Sequence, residues 1–308
     1  MSVFDALLCA LIVGAALAAV GGRDLFGSVV FFIVYGVLAA IAWTRLGAVD
    51  VALAEAAIGA GLTGVLLVGA TARIGASGGG DAAPRLGFAL AAAVATGGVA
   101  ALVAVGFLAL DPDAAGLTPA VAARLDEAGV GNPVTAVLLN FRAYDTLLES
   151  IVLLAALVGV WSLAADGAWP GQPGLPQRGR PDGVLATFGR VLPPTGLLVG
   201  IYLVWRGADA PGGAFQGGTV LAAVWLIVAL AGQTSAPSVA DARLRAALVA
   251  GPLVFLGVGV AGALAGSFLA IPEDFAKPLI LAIETGLTLS IAATLALLAI
   301  GPPVERAR

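Results

Sequence analysis

The chain has 308 residues, 60% of them hydrophobic and 11% charged, with mean hydropathy +1.05 and a formal charge of −4. Soluble domains carry about 25% charged residues, so this composition excludes a soluble globular protein and specifies an all-α polytopic membrane protein. Histidine is absent and Cys9 is alone, which removes an intrachain disulfide, a thiolate metal centre and the commonest neutral-pH proton shuttle.

A membrane span needs about 20 apolar residues. On that rule the sequence predicts about nine helices, over 3–20, 25–44, 49–72, 86–110, 143–165, 183–205, 218–231, 246–270 and 278–300. The first reads as a retained helix, since no basic stretch precedes it and no cleavage motif follows. The seventh is short, and is expected either to extend through the preceding Gly-rich loop or to be partly re-entrant. Pro193-Pro194 should bend the sixth helix or start a new segment within it.

Three connectors interrupt the apolar runs. Residues 75–84 form a Gly-rich joint. The polar stretch 111–135 is expected to include a surface helix over 119–128. Residues 168–182 carry four prolines and three glycines and read as a linker between modules. Positive residues number five on the N-terminal face (Arg45, Arg124, Arg142, Arg206, Lys277) and nine opposite (Arg23, Arg73, Arg85, Arg178, Arg180, Arg243, Arg245, Arg306, Arg308). That asymmetry predicts the N-terminus outside and the C-terminus in the cytoplasm.

No phosphate-loop, nucleophile-elbow, CxxC or HExxH pattern is present. No basic tract with interleaved aromatics supports nucleic-acid binding, and no cofactor is expected. An ionisable group within a span costs about 2.5–3.5 kcal/mol on insertion scales and marks a functional candidate. Glu55, Glu149 and Glu284 qualify, each roughly six to eight residues inside the predicted outer end of its helix, on the order of 10 Å at the helical rise. Similar depth would let them share one hydrated layer.

Asp50 precedes Glu55 nearer the surface, on a helix rich in Ala and Gly. Arg142, Asp145 and Glu149 share one helix face, so Arg142 can pair with Asp145 and leave Glu149 deeper, with Thr146 beside the path. Lys277 lies on the face of Glu284, and Thr285, Thr288 and Ser290 add hydroxyls. Hard oxygen ligands of this kind suit Na+ near Glu284 and Thr288, or a water chain. The alternative for each carboxylate is a hydrogen bond to a neighbouring helix. For each hydroxyl it is the carbonyl one turn back.

The chain is organised around Arg206–Gly218, RGADAPGGAFQGG. Pro211 lacks an N–H. Gly212, Gly213, Gly217 and Gly218 permit close backbone approach around Phe215 and Gln216. This segment resembles the PGGGFxGG signature of MrpB, a membrane subunit of Mrp-type multisubunit Na+/H+ antiporters. It departs in Ala214 for the third glycine and in Ala208-Asp209 for a His-containing pair. DVALAEAAIGAGL at 50–62 resembles the MbhD-like segment, and FRAYDTLLES at 141–150 the MbhE-like segment, of the MrpA C-terminal extension.

The resemblance implies a fusion of the MrpA tail with MrpB: an MbhD-like segment over 1–75, an MbhE-like one over 86–165, a linker over 166–182 and an MrpB-like domain over 183–308. It implies roles for Glu55, Asp145 and Glu149, a place in the plasma membrane, and the other Mrp membrane subunits, Na+ and H+ as partners. A membrane-arm subunit of a related redox-driven complex, such as a membrane-bound hydrogenase, and a purely structural scaffold are the alternatives.

Overall fold

The computed structural model describes residues 2–22, 24–76, 86–111, 114, 116–169, 171–174 and 183–304. Residues 77–84 of the joint, and 170 and 175–182 of the linker, lie outside the described residues. So do Arg23, Arg85, Arg178, Arg180, Arg306 and Arg308 of the topology count.

The described chain is helical almost throughout. In order it forms α1 (Val3–Gly21), α2 (Leu25–Arg45), α3 (Val49–Ala54), a π-helical stretch (Glu55–Leu62), α4 (Thr63–Ala76), α5 (Leu86–Leu108), α6 (Thr118–Ala122) and α7 (Pro133–Ala136). A second π stretch (Val137–Phe141) leads into α8 (Ala143–Trp161), followed by α9 (Val184–Gly207), α10 (Ala214–Leu230), α11 (Ala242–Ala265) and α12 (Ala276–Ile300). Among the described residues, eight helices are long and apolar enough to cross a membrane, and Ala214–Leu230 is a shorter apolar one.

Local chemistry sets the ends. Ser2 and Asp5 cap the start of α1 reciprocally, satisfying amides that a helix start leaves free. Arg45 at the end of α2 reaches Asp5 at 3.0 Å and closes the first hairpin. α2 then packs on the π stretch, where a Cβ at Gly36 would stand 3.1 Å from Ala60.

The last four helices form the centre. α10 packs on α9 and α12, and α12 packs on α11 and α8. α12 is the most buried span; Ile280, Ile283, Leu287, Ile291 and Leu297 are enclosed. In lipid the hydrophobic effect does not hold helices together, so close packing by small residues must do so. Gly217 illustrates this: a Cβ there would lie 2.5 Å from a Val204 methyl and 2.8 Å from the Gly200 carbonyl.

The seventh helix, α10, starts at Ala214 and not at 218, so it extends into the Gly-rich motif, the first of the two alternatives. Two other expectations change. Pro193 and Pro194 lie inside one uninterrupted α9, and no second segment begins there. The surface helix expected over 119–128 is α6 followed by a separate 3-10 turn, Asp126–Ala128. A two-residue antiparallel ladder, β1 (Gln172–Pro173) with β2 (Pro303–Val304), ties the start of the linker to the end of α12. α5 has no buried residue, and its whole circumference is available to lipid or to another chain.

Candidate functional site

The Gly-rich loop is a tight reversal between α9 and α10. Gly213 N–H donates back to the Leu203 carbonyl at 2.9 Å, and the Asp209 and Ala210 amides donate to the Arg206 carbonyl. Gly213 has φ +115°, a backbone region that favours glycine. A Cβ at Gly207 would stand 2.5 Å from Gly213 backbone atoms, so the loop closes on itself only because both positions lack side chains.

Two distant segments fasten onto this loop. The Gly131 and Asn132 amides donate to the Ala208 carbonyl at 2.9 and 3.0 Å. Asn132 Nδ2 donates to the Ala210 carbonyl at 3.0 Å, and Thr135 Oγ1 donates to the Gly207 carbonyl at 2.6 Å. From α3, Asp50 Oδ1 accepts the Gly212 amide at 3.0 Å and Asn132 Nδ2 at 3.5 Å. The Asp50 carbonyl accepts Gln216 Nε2 at 3.2 Å. Residues from the first, middle and last parts of the chain thus meet at one turn.

Glu284 lies beneath that turn. It is 3% exposed, and its Oε2 is buried with no hydrogen-bond partner. Gly213, the N-cap of α10, packs directly against the carboxylate, and the neighbouring Gly212 amide donates to Asp50 Oδ1 at 3.0 Å. The free amides at a helix start favour negative charge. A Cβ at Gly213 would sit 2.9 Å from Glu284 Oε1, so the glycine also makes room for the acid. A buried carboxylate needs a proton, a cation or a full set of donors, and here the donors are too few.

The other sequence candidates fall elsewhere. Lys277 pairs with Asp209 at 2.7 and 2.9 Å and clamps the start of α12 to the loop. Thr288 Oγ1 donates to the Glu284 backbone carbonyl at 2.7 Å and Thr285 Oγ1 to that of Leu281, both one turn back. Ser290 instead reaches the Leu248 carbonyl on α11. Pro211 is exposed at the tip of the loop and Phe215 packs against the core. Gly217 faces α9, and Gly218 faces Ile291 and the Thr288 carbonyl on α12.

Glu55, half-buried, begins the first π stretch and its side chain lies over Gly59 one turn on. Arg142 pairs with Asp145 at 2.6 Å, and both are exposed. Glu149 is exposed on α8, and Thr146 Oγ1 donates to the Leu138 carbonyl at 2.7 Å, across the second π stretch. The structure therefore brings Glu284 together with Asp50, and not with Glu55 or Glu149. The first π stretch begins at the candidate acid Glu55, and such irregular turns are frequent at functional sites.

Asn132 and Thr135 are not legible as anchors in the sequence. The one signal is an Asn-Pro pair, which caps a helix start. Nothing in the sequence places it beside residues 207–212.

Residues 10–76 match the MbhD family model, that of the D subunit of MBH, and residues 184–301 match the domain related to the MnhB subunit of Na+/H+ antiporter. An uncharacterized protein of Methanocaldococcus jannaschii is 30% identical over 154 residues, which is 45% of this chain and 59% of that protein. The chain thus spans little over half of that curated relative. Among solved structures, the Mrp complex from a Dietzia species contains a chain similar to this one at TM-score 0.76 and 26% identity, over 98% of this chain and 35% of that chain. The archaeal membrane-bound sulfane sulfur reductase shares the fold at TM-score 0.57 and 24% identity, over 70% of this chain and 97% of that one. With eight helices among the described residues long and apolar enough to cross a membrane, this is a multi-pass membrane protein. One polypeptide thus carries a segment matching MbhD and a domain related to MnhB, and its fold is similar to that of a chain of the Mrp complex.

Proposed function

We propose that this chain is a membrane subunit of a multisubunit monovalent-cation/proton antiporter, and that Asp50, Glu284 and the Gly-rich loop form a polar node on its ion path. The observation that carries this reading is the Glu284 carboxylate, enclosed in the central bundle with one oxygen unpartnered. A structural acid would have its donors. An acid that handles ions has to leave a place for them.

The subunit role is supported by surface as well as by likeness. This chain matches 35% of the length of the similar Dietzia chain, which belongs to an Mrp complex. Here α5 is exposed all round and Glu149 is exposed on a span; a carboxylate in that position needs protein or water against it. The middle part, 86–165, is proposed as the MbhE-like segment. The N-terminus is proposed outside. The reaction is secondary transport by the assembled complex, with no chemistry on a substrate.

The test is genetic and biochemical. Removing this chain from the cells should abolish Na+/H+ exchange in everted vesicles, and the chain should co-purify with other membrane subunits. Exchange that persists without it contradicts the reading. A second reading, a membrane arm of a redox-driven complex, is favoured by the fold shared with the sulfur reductase. Co-purification with iron–sulfur subunits would select it.

A further inference from the structure

The end of α11 carries a turn that folds back on the helix. Leu269 is buried with φ +61°, a backbone region that a residue with a side chain rarely adopts. Its amide donates to the Gly259 carbonyl at 3.4 Å, and a Cβ at Gly262 would stand 2.8 Å from the Ala270 carbonyl. The returning chain therefore lies tight against α11. Beside it, between α11 and the start of α12, the same reversal leaves a groove of about 440 Å³. Its walls include Val254, Ala261 and Ala265 of α11, and Pro272, Phe275 and Leu279 leading into α12. Gly257 also lines it, and a Cβ there would meet nothing within 4 Å, so this glycine leaves space open and admits no neighbouring backbone.

Size selects the kind of occupant. From Val254 to Ala265, α11 advances on the order of 16 Å at 1.5 Å per residue. Spread over that length the groove is roughly 6 Å wide, against about 10–12 Å for a helix with its side chains. A single hydrocarbon chain fits along it, and a partner helix does not seat in it. The lining is apolar and belongs to two helices long and apolar enough to span a membrane. Hydrocarbon is the solvent there, so enclosing a chain brings no hydrophobic gain of its own. Selectivity has to come from the headgroup.

The mouth of the groove supplies it. Glu273 and Asp274 form a 3-10 turn with Phe275, directly after Pro272, and both are exposed. Among the described residues neither takes part in an ion pair, and the neighbouring Lys277 is held by Asp209 at 2.7 Å. The mouth is therefore negative and uncompensated. A headgroup of net negative charge is repelled there. A zwitterionic headgroup with a primary ammonium can donate to both carboxylates. We propose that this groove is a lipid site: one acyl chain of a phosphatidylethanolamine lies along α11, and its ammonium rests at Glu273 and Asp274. The site shares no lining residue with the turn above Glu284 and does not depend on the transport reading.

The experiment places the intact complex in nanodiscs of equal parts phosphatidylethanolamine and phosphatidylglycerol, each with a photoactivatable diazirine in one acyl chain. After illumination, peptide mass spectrometry reads the adducts on 254–265 and 272–279, and the adduct mass tells the two headgroups apart. The ethanolamine lipid should exceed the glycerol lipid there by about threefold, the scale set by exposed ion pairs. Glu273→Gln combined with Asp274→Asn should return the ratio to that of the disc. Gly257→Leu puts a side chain into the open space and suits a helix better than glycine. It should remove the adducts from Val254 and Ala261 while the complex still assembles.

An absence of adducts in the wild type overturns the site and shows that protein covers the groove in the complex. Adducts in the ratio of the disc, or a ratio that the carboxylate variants leave unchanged, overturn the headgroup selection. Adducts that survive Gly257→Leu lie outside the groove and overturn the site as well. The exposed carboxylate pair keeps the test decisive if Gly257→Leu does not assemble.

Discussion

Gly212 donates its backbone N–H to Asp50 Oδ1 at 3.0 Å, across 162 positions of sequence. This bond joins the MbhD segment to the MnhB-related domain at the turn above Glu284. Asp50→Ala removes the acceptor and leaves the amide without it, at a cost of about 1.5–3 kcal/mol for a hydrogen bond to a charged group. The complex should melt earlier in detergent. Asp50→Asn keeps the acceptor and loses the charge, so assembly should persist while Na+/H+ exchange falls. Equal exchange rates in Asp50→Asn and wild type would show that the charge at this position is idle.

Thr135→Val tests the second fastening. The hydroxyl donates to the Gly207 carbonyl at 2.6 Å in a buried setting. Its loss should cost about 1 kcal/mol or slightly more, seen as a lower melting temperature with exchange retained. A larger effect on exchange than on stability would assign Thr135 to the ion path instead.

Gly213→Ala is expected to be severe for two reasons. Its φ of +115° disfavours any side chain, and the new Cβ would meet Glu284 Oε1 at 2.9 Å. Strain in such a region costs about 1–3 kcal/mol. Exchange should fall more than assembly on a native gel. Retention of exchange would mean that the acid has room elsewhere.

The Asp209–Lys277 pair is half-exposed on both sides. Exposed ion pairs contribute about 0–1 kcal/mol, so Lys277→Gln should shift melting little and make it less sensitive to salt. A collapse of exchange in Lys277→Gln, with assembly intact, would contradict a purely clamping role for this lysine.

The spans are legible in the sequence because lipid imposes long apolar runs, and the loop is legible because its glycines and proline stand out from them. Asp50 and Glu284 are each visible as acids in or near spans. Their partnership is not, since hydrophobic patterning carries no information on which helix ends meet. The start of α10 is hidden because Gly217 and Gly218 look like loop residues. In the fold they are small faces, one against α9 and one against α12. Pro193-Pro194 reads as a bend or a new start, and α9 continues through the pair with no second segment. Glu55, Glu149 and Glu284 sit at similar depth along their helices, but depth alone does not fix the face: Glu284 is buried and Glu149 is exposed.

The most direct measurement is Na+/H+ exchange in everted vesicles carrying the whole complex with Glu284→Gln, with assembly verified on a blue-native gel. The account predicts a complex that assembles and exchanges at a small fraction of the wild-type rate. A complex that assembles and exchanges normally, with unaltered apparent Na+ affinity, would contradict it.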